Sequence, residues 1–260
     1  MRQGFLLIWC EHPCSSISLC GSVIVFIRES KMKVELHKLF YTPVWRFHYP
    51  DFEEDEEFLV RYFAQDHLYI TEREMNGLQI TRPNVHKDPK IKKFKDFFIE
   101  SAKYAMTEMG YVDNCDISSM WATRQKPGGF HHFHYHHNCF LACAFHLFDV
   151  DKKAGGTSFF NSSSDRYVIQ PQIADRNNLM LCSESELPFI PGTLVMFPGW
   201  AGHKTKPSNC EYRMIVAANI VPIGKTNIDH FDRYNFPPIE DMDLIEYGDE
   251  LSNSIFYGNQ

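Results

Sequence analysis

After Gly110 the sequence breaks into short β-rich runs, and this constrains the fold more than anything else in the chain. DISSMWATRQ, FHHFHYH, CFLACAFHLF, TSFFN, RYVIQ, GTLVMFP and YRMIVAANIV follow one another. Several are separated by KPGG, DKKAGG, SSSD and PSNCE, which are turn or loop material. About seven or eight strands at this spacing indicate a sandwich, barrel or jelly roll. The abundance of aromatics, with 22 Phe, 12 Tyr and 4 Trp, suits such a strand-heavy fold.

The part before Gly110 reads differently. Residues 34–48 suggest one or two strands interrupted by Pro43. DFEEDEEFLVRYFAQ reads as a helix, its acidic start favourable to the helix dipole and Phe58, Leu59, Tyr62 and Phe63 forming an apolar stripe. A second helix is expected over about 89–109, where Ile91, Phe94, Phe98, Ala102, Ala105 and Met109 recur at three- and four-residue steps. Pro89 suits its first turn and Gly110 its stop. Such helices would buttress a sheet. Residues 171–190 look like an insertion or lid.

Residues 1–31 carry FLLIWC and SVIVFI, both far shorter than the roughly 20 residues of a membrane span. Their broken apolar pattern does not match a signal peptide. Met32 opens what reads as an ordinary domain start. The expected organisation is an extension over 1–31, of the kind a misassigned start codon adds, then one domain over 32–260. Within that domain a helical part covers about 32–112 and a β core about 113–225.

A net charge of −7 offers no basic excess to attract a phosphate backbone, so nucleic acid is not indicated as a partner, and neither is a membrane. The eight cysteines include no Cys-x-x-Cys pair, and a chain of 260 residues can build a core without disulfides. They read as buried thiols in a reducing compartment, the cytoplasm.

The stretch PGGFHHFHYHHN places five of the thirteen histidines between positions 131 and 137. If 130–137 is a strand, 132, 134 and 136 share one face. Two histidines at i and i+2 can grip one metal, so the even face offers 132/134 or 134/136. The odd face, with His131, Phe133, Tyr135 and His137, reads as an outer surface, and His146 as an ordinary surface or hydrogen-bonded core histidine. Further on, His203 follows an apolar strand that ends at Pro198. Arg213 lies ten residues later inside YRMIVAANI, where an arginine is costly unless it meets an anion. Its planar fork suits a carboxylate.

These residues carry a resemblance to the 2-oxoglutarate/iron(II)-dependent oxygenases. The sequence looks closest to an uncharacterised His-x-His branch found in marine bacteria and cyanophages. The tryptophan strand, turn and histidines are MWATRQKPGGFHHFHYHHN, followed by CFLACAFHLF, the Gly-Gly strand GGTSFF, PGTLVMFPGWAGH and YRMIVAANI. The likeness covers about 115–222, and extends more weakly from Met32. It implies a double-stranded β-helix, or jelly roll, of the cupin-like kind, mainly β with flanking helices. It also implies His134, His136 and His203 as metal ligands and Arg213 as the grip on the distal carboxylate of 2-oxoglutarate. Asn138 is a further candidate contact to the co-substrate. His132 and Trp121 are candidates for a position just behind the ligands, and Trp121 and Trp200 for walls of the pocket.

The implied cofactors are Fe(II), 2-oxoglutarate as co-substrate and O2. The implied activity is hydroxylation of an unidentified substrate with release of succinate and CO2. The wider superfamily has Asp or Glu where this chain has His136, so the triad also resembles that of hydrolytic zinc enzymes. A zinc hydrolase, a three-histidine iron dioxygenase that does not use 2-oxoglutarate, and a binding module with incidental histidines are the alternatives.

Overall fold

The structure, a computed structural model, describes residues 22–25, 34–37, 41–75, 77–161, 183–226 and 234–236. The run RYVIQ and the larger part of the expected lid at 171–190 lie outside the described residues. The chain divides into two units, Met1–Thr42 and Pro43–Gln260. In the first, β1 (Ser22–Val25) pairs antiparallel with β2 (Val34–His37), across the boundary expected at 31/32.

The second unit opens with β3 (Trp45–His48), α1 (Phe52–Phe63), β4 (Tyr69–Met75) and β5 (Leu78–Thr81). Acidic Glu53, Glu54 and Asp55 fill the first turn of α1, where they complement the helix dipole. Leu59, Tyr62 and Phe63 bury the inner face, while Phe58 stays exposed at the edge of the stripe. Helix α2 (Lys92–Glu108) follows a 3-10 turn, Pro89–Ile91, whose entry is capped by the Asp88 carboxylate accepting the Lys90 N–H at 2.9 Å. It ends in a Schellman arrangement. Gly110 takes φ +81°, the Gly110 N–H donates to Thr107 O, and the Tyr111 N–H donates to Met106 O.

Strand β6 (Cys115–Gln125) starts the β core, followed by β7 (Leu141–Asp149), β8 (Thr157–Phe160), β9 (Glu184–Leu187), β10 (Thr193–Pro198), β11 (His203–Thr205) and β12 (Arg213–Pro222). A short hairpin of β13 (Gly224–Thr226) and β14 (Tyr234–Phe236) closes the described chain. The larger sheet has the order β3-β10-β7-β12-β6-β5-β4, and the smaller one β11-β8-β9. Aromatic contacts join the facing sheets: Phe159 on β8 lies 4.9 Å from Phe197 on β10, centroid to centroid, and His203 on β11 lies 4.5 Å from the same ring.

The period-2 alternation of β12 assigns its side chains to two different tasks. Met214, Val216, Ala218 and Ile220 join the core shared with α1 and α2. Arg213, Ile215, Ala217 and Asn219 have the opposite parity and face the gap between the sheets. The cross-strand partners of these four on β6 are Gln125, Thr123, Trp121 and Ser119. On this face Ala217 stands beside Ala144 and Asn219 beside Ala142, so the alanine side chains there are short.

The helical side is an aromatic cluster centred on Phe145 of β7. Its ring meets Phe94 at 4.9 Å, Phe52 at 5.9 Å, Tyr49 at 6.1 Å, Phe98 at 6.2 Å and Phe97 at 6.3 Å. A second close fit explains the Gly-Gly motif. A Cβ on Gly156 would stand 2.1 Å from Leu187 O, so any side chain there would push β8 off β9. Truncating the hub, Phe145→Ala, should destabilise the protein by about 3–5 kcal/mol. Urea unfolding followed by circular dichroism will test this, and an unshifted midpoint would show that the cluster is not the structural centre.

Candidate metal centre

The segment 131–136 is not a regular strand, as the parity argument assumed. It attaches to β11 and the turn before it through a few separate bonds. The His134 and His203 main chains exchange N–H···O bonds of 2.9 and 3.1 Å, the His136 N–H donates to Gly199 O at 2.9 Å, and the Thr205 N–H donates to His131 O at 3.2 Å. The ladder is interrupted because 199–202 turns away between these points. Gly199 permits this approach, since a Cβ there would sit 2.5 Å from Cys139 O and 2.7 Å from His136 O.

These attachments bring three imidazoles together. Ring centroids lie 4.2 Å apart for His134 and His203, and 5.1 Å apart for His134–His136 and His136–His203. One nitrogen from each lies within 4.8 Å of the others. Each Nδ1 already has an acceptor: His134 donates to His132 O at 2.7 Å, His136 to Asn219 Oδ1 at 2.9 Å and His203 to Ala201 O at 2.9 Å. Oxygen acceptors place the proton on Nδ1, which leaves the Nε2 lone pairs to converge. Trp121 stacks along His136 at 6.4 Å.

Burial keeps this group uncharged. Desolvation, with the neighbouring imidazoles next in importance, lowers His203 to about 2 and His136 to about 4, and burial also lowers His134. Three neutral, oriented imidazoles with no carboxylate fit a first-row divalent metal such as Fe(II), and equally Zn(II).

Arg213 occupies the other end of the same face. Its side chain is 0 % exposed, and desolvation lowers it to about 10, so it remains charged at neutral pH. Nε donates to Gln125 Oε1 and one terminal nitrogen to Gly155 O at 2.5 Å. The other terminal nitrogen and Gln125 Nε2 are buried without a hydrogen-bond partner among the described residues. An uncompensated guanidinium costs several kcal/mol inside a protein, so this pair of orphaned donors fits an anionic ligand.

The remaining sequence candidates fall in different places. Asn138 and His132 are exposed, and His132 acts on the triad through its main-chain carbonyl. Trp200 is 56 % exposed. His137 faces outward, but His131 does not behave as an outer-face residue. Its ring lies 6.0 Å from that of His134, and burial, with His134 and then Arg213 nearby, lowers it to about 3. Irregular backbone at 131–133 breaks the alternation that had placed it outside. His146 is buried, stacks on Phe189 at 4.4 Å and accepts the Ile190 N–H. Asn219 and Gln125 were not among the sequence candidates. A polar residue inside the apolar run IVAANIV was the available signal for Asn219. A further grouping of Asp149, Asp151 and Cys210 surrounds the turn after β7, where the Asp149 carboxylate accepts the Asp151 and Ala154 N–H groups.

Residues 119–219 match a family described as "Putative 2OG-Fe(II) oxygenase". No curated protein matches the sequence. Among solved structures, the chain is similar to a Pseudomonas putida prolyl-4-hydroxylase at 14 % identity, covering 70 % of this chain and 93 % of that one, with a TM-score of 0.50. It is similar to HygX from Streptomyces hygroscopicus, solved with nickel, 2-oxoglutarate and hygromycin B, at 11 % identity, 70 % and 83 % coverage and a TM-score of 0.50. It is also similar to SnoK, an alpha-ketoglutarate-dependent carbocyclase from nogalamycin biosynthesis, at 12 % identity, 82 % and 86 % coverage and a TM-score of 0.53. At these identities the likeness is one of fold, the double-stranded β-helix: β6, β12, β7 and β10 on one side, and segment 131–136 with β11, β8 and β9 on the other.

The buried histidines fix the sign of a pH effect. His86, His146 and His203 are lowered from 6.5 to about 4, 3 and 2, mainly by desolvation. Their contribution is complete above the unfolded value of 6.5 and is lost as pH falls toward the folded values. The metal-free protein should therefore lose about 4 kcal/mol from these three between pH 7.5 and 5.5. Urea titrations at the two pH values provide the measurement, and equal midpoints would contradict it.

Proposed function

We propose, taking as premise that this chain is a 2-oxoglutarate- and Fe(II)-dependent oxygenase, that His134, His136 and His203 hold the iron and Arg213 binds the far carboxylate of 2-oxoglutarate. The reaction is hydroxylation of an organic substrate with release of succinate and CO2. The observation that carries the assignment is the orphaned guanidinium nitrogen of Arg213, buried on the inner face that also carries Asn219 beside the triad.

Iron with bound 2-oxoglutarate supplies oxygen activation and oxidative decarboxylation when both are present. The chain supplies the surroundings. The imidazoles add no charge, so a divalent metal and a dianionic co-substrate neutralise each other in the gap. Gln125 and Gly155 fix the Arg213 fork, leaving its free nitrogen and Gln125 Nε2 to donate to a carboxylate. Ala144 and Ala217 keep the inner face open between the two ends. Trp121, Phe197 and Phe159 line the triad with apolar surface and exclude water. Asn138 remains available as a contact on the exposed side. A zinc hydrolase would use the same imidazoles but would leave Arg213 without a ligand.

The His-Tyr-His spacing supports placement in the His-x-His branch of the superfamily. Unpaired thiols at Cys115, Cys139, Cys143 and Cys210 support a reducing, cytoplasmic setting. Among the described residues no helix is long and apolar enough to cross a membrane.

Anaerobic addition of Fe(II) and 2-oxoglutarate should produce the weak visible charge-transfer band of the chelate. Arg213→Ala should raise the co-substrate concentration needed for half of that band by about 10- to 100-fold, because a charge-assisted contact is lost. Absence of the band in the wild-type protein would refute the assignment. An unchanged titration in Arg213→Ala would remove Arg213 from it.

A further inference from the structure

The three Nδ1 acceptors differ in kind. His132 O and Ala201 O are main-chain carbonyls, which every sequence supplies at those positions. Asn219 Oδ1 is the only side chain among them, and it serves the histidine that stands where the wider superfamily has a carboxylate. We propose that Asn219 is a positioning residue that fixes the tautomer and direction of His136, and so sets how tightly this three-imidazole centre holds its metal. This role rests on the metal assignment made above.

Two structural observations support it. Asn219 lies on the central strand β12, paired to β6 on one side and β7 on the other, so its Cα is held from both directions. The β6 ladder also shifts register at this point: Asn219 pairs with Ser119, but Ile220 pairs with Ile117. A bulge beside a site re-aims the side chains around it. The extra residue lies on β6, where it turns Ile117 into the core; β12 keeps its alternation, so Asn219 faces the gap between Ala218 and Ile220, which stay in the core.

The chemistry also favours an acceptor with restricted options. An imidazole that ligates through Nε2 must keep its proton on Nδ1, and an oxygen facing Nδ1 enforces this. The amide is neutral, so it orients His136 without the increase in ligand basicity that a carboxylate in the same place would give. The centre then remains formally uncharged apart from the metal. Without the oxygen, His136 could rotate or carry its proton on Nε2, which cannot ligate.

Co(II) alone, added anaerobically to the full chain, tests the proposal through its d–d absorption. Wild type should bind with a defined spectrum. Asn219→Ala should weaken binding by about 10- to 100-fold and alter the band, as loss of a ligand-orienting partner does. Asn219→Leu, which keeps most of the volume without an acceptor, should do the same and serves if the alanine variant does not fold. Asn219→Asp should bind at least as tightly as wild type, a rescue that simple packing would not produce. If Asn219→Leu matches wild type in affinity and spectrum, or Asn219→Asp falls as far as the leucine variant, the role of Asn219 is overturned while the metal assignment stands. If wild type binds no Co(II), the metal assignment fails and this role fails with it.

Discussion

The architecture depends on the burial of a guanidinium in the middle of a sheet. Arg213 enters the interior at the first position of β12, the strand that pairs with both β6 and β7. Burial of such a group is unfavourable unless its donors are satisfied. Gln125 and Gly155 satisfy part of the fork and, in doing so, tie β6 and the Gly-Gly turn before β8 to β12. The donors they leave unpaired among the described residues fit an anionic ligand. The larger sheet therefore has two unlike faces. One is sealed by α1, α2 and the cluster around Phe145, and the other sets Arg213, Gln125 and Asn219 beside the apolar patch of Ala142, Val195 and Phe197.

That division explains what could be read from the sequence. The α2 helix was legible because its apolar positions, Pro89 and Gly110 are local signals, and the Schellman end at Gly110 is local as well. The strands of the core were legible from their short β-rich runs and intervening turns. Arg213 stood out because a charge in an apolar run is conspicuous. The histidine cluster was harder, since parity presumes a regular ladder. Segment 131–136 has separate attachments instead, and the alternation that would have placed His131 outside does not hold there.

Asn219 and Gln125 were missed for a different reason. Their importance depends on pairing across β12, which joins residues 88 positions apart in one case and 83 in the other. No local pattern encodes such a contact. Phe58 shows the opposite limit: its spacing matched the buried stripe of α1, but the helix turns it to the rim. Helical periodicity identifies a face, and only packing determines where that face ends.

The burial of the three imidazoles has a consequence for the thermodynamics of metal uptake. Because burial keeps the imidazoles neutral well below physiological pH, an arriving metal ion has no proton to displace from them. The fold has already removed the proton that an ordinary histidine would still carry below about pH 6.5. Uptake would then proceed without proton release from the ligands, with a heat largely independent of the ionisation enthalpy of the buffer. The energetic burden is carried by the folded chain between metals, as strain on its acid stability, rather than by each binding event.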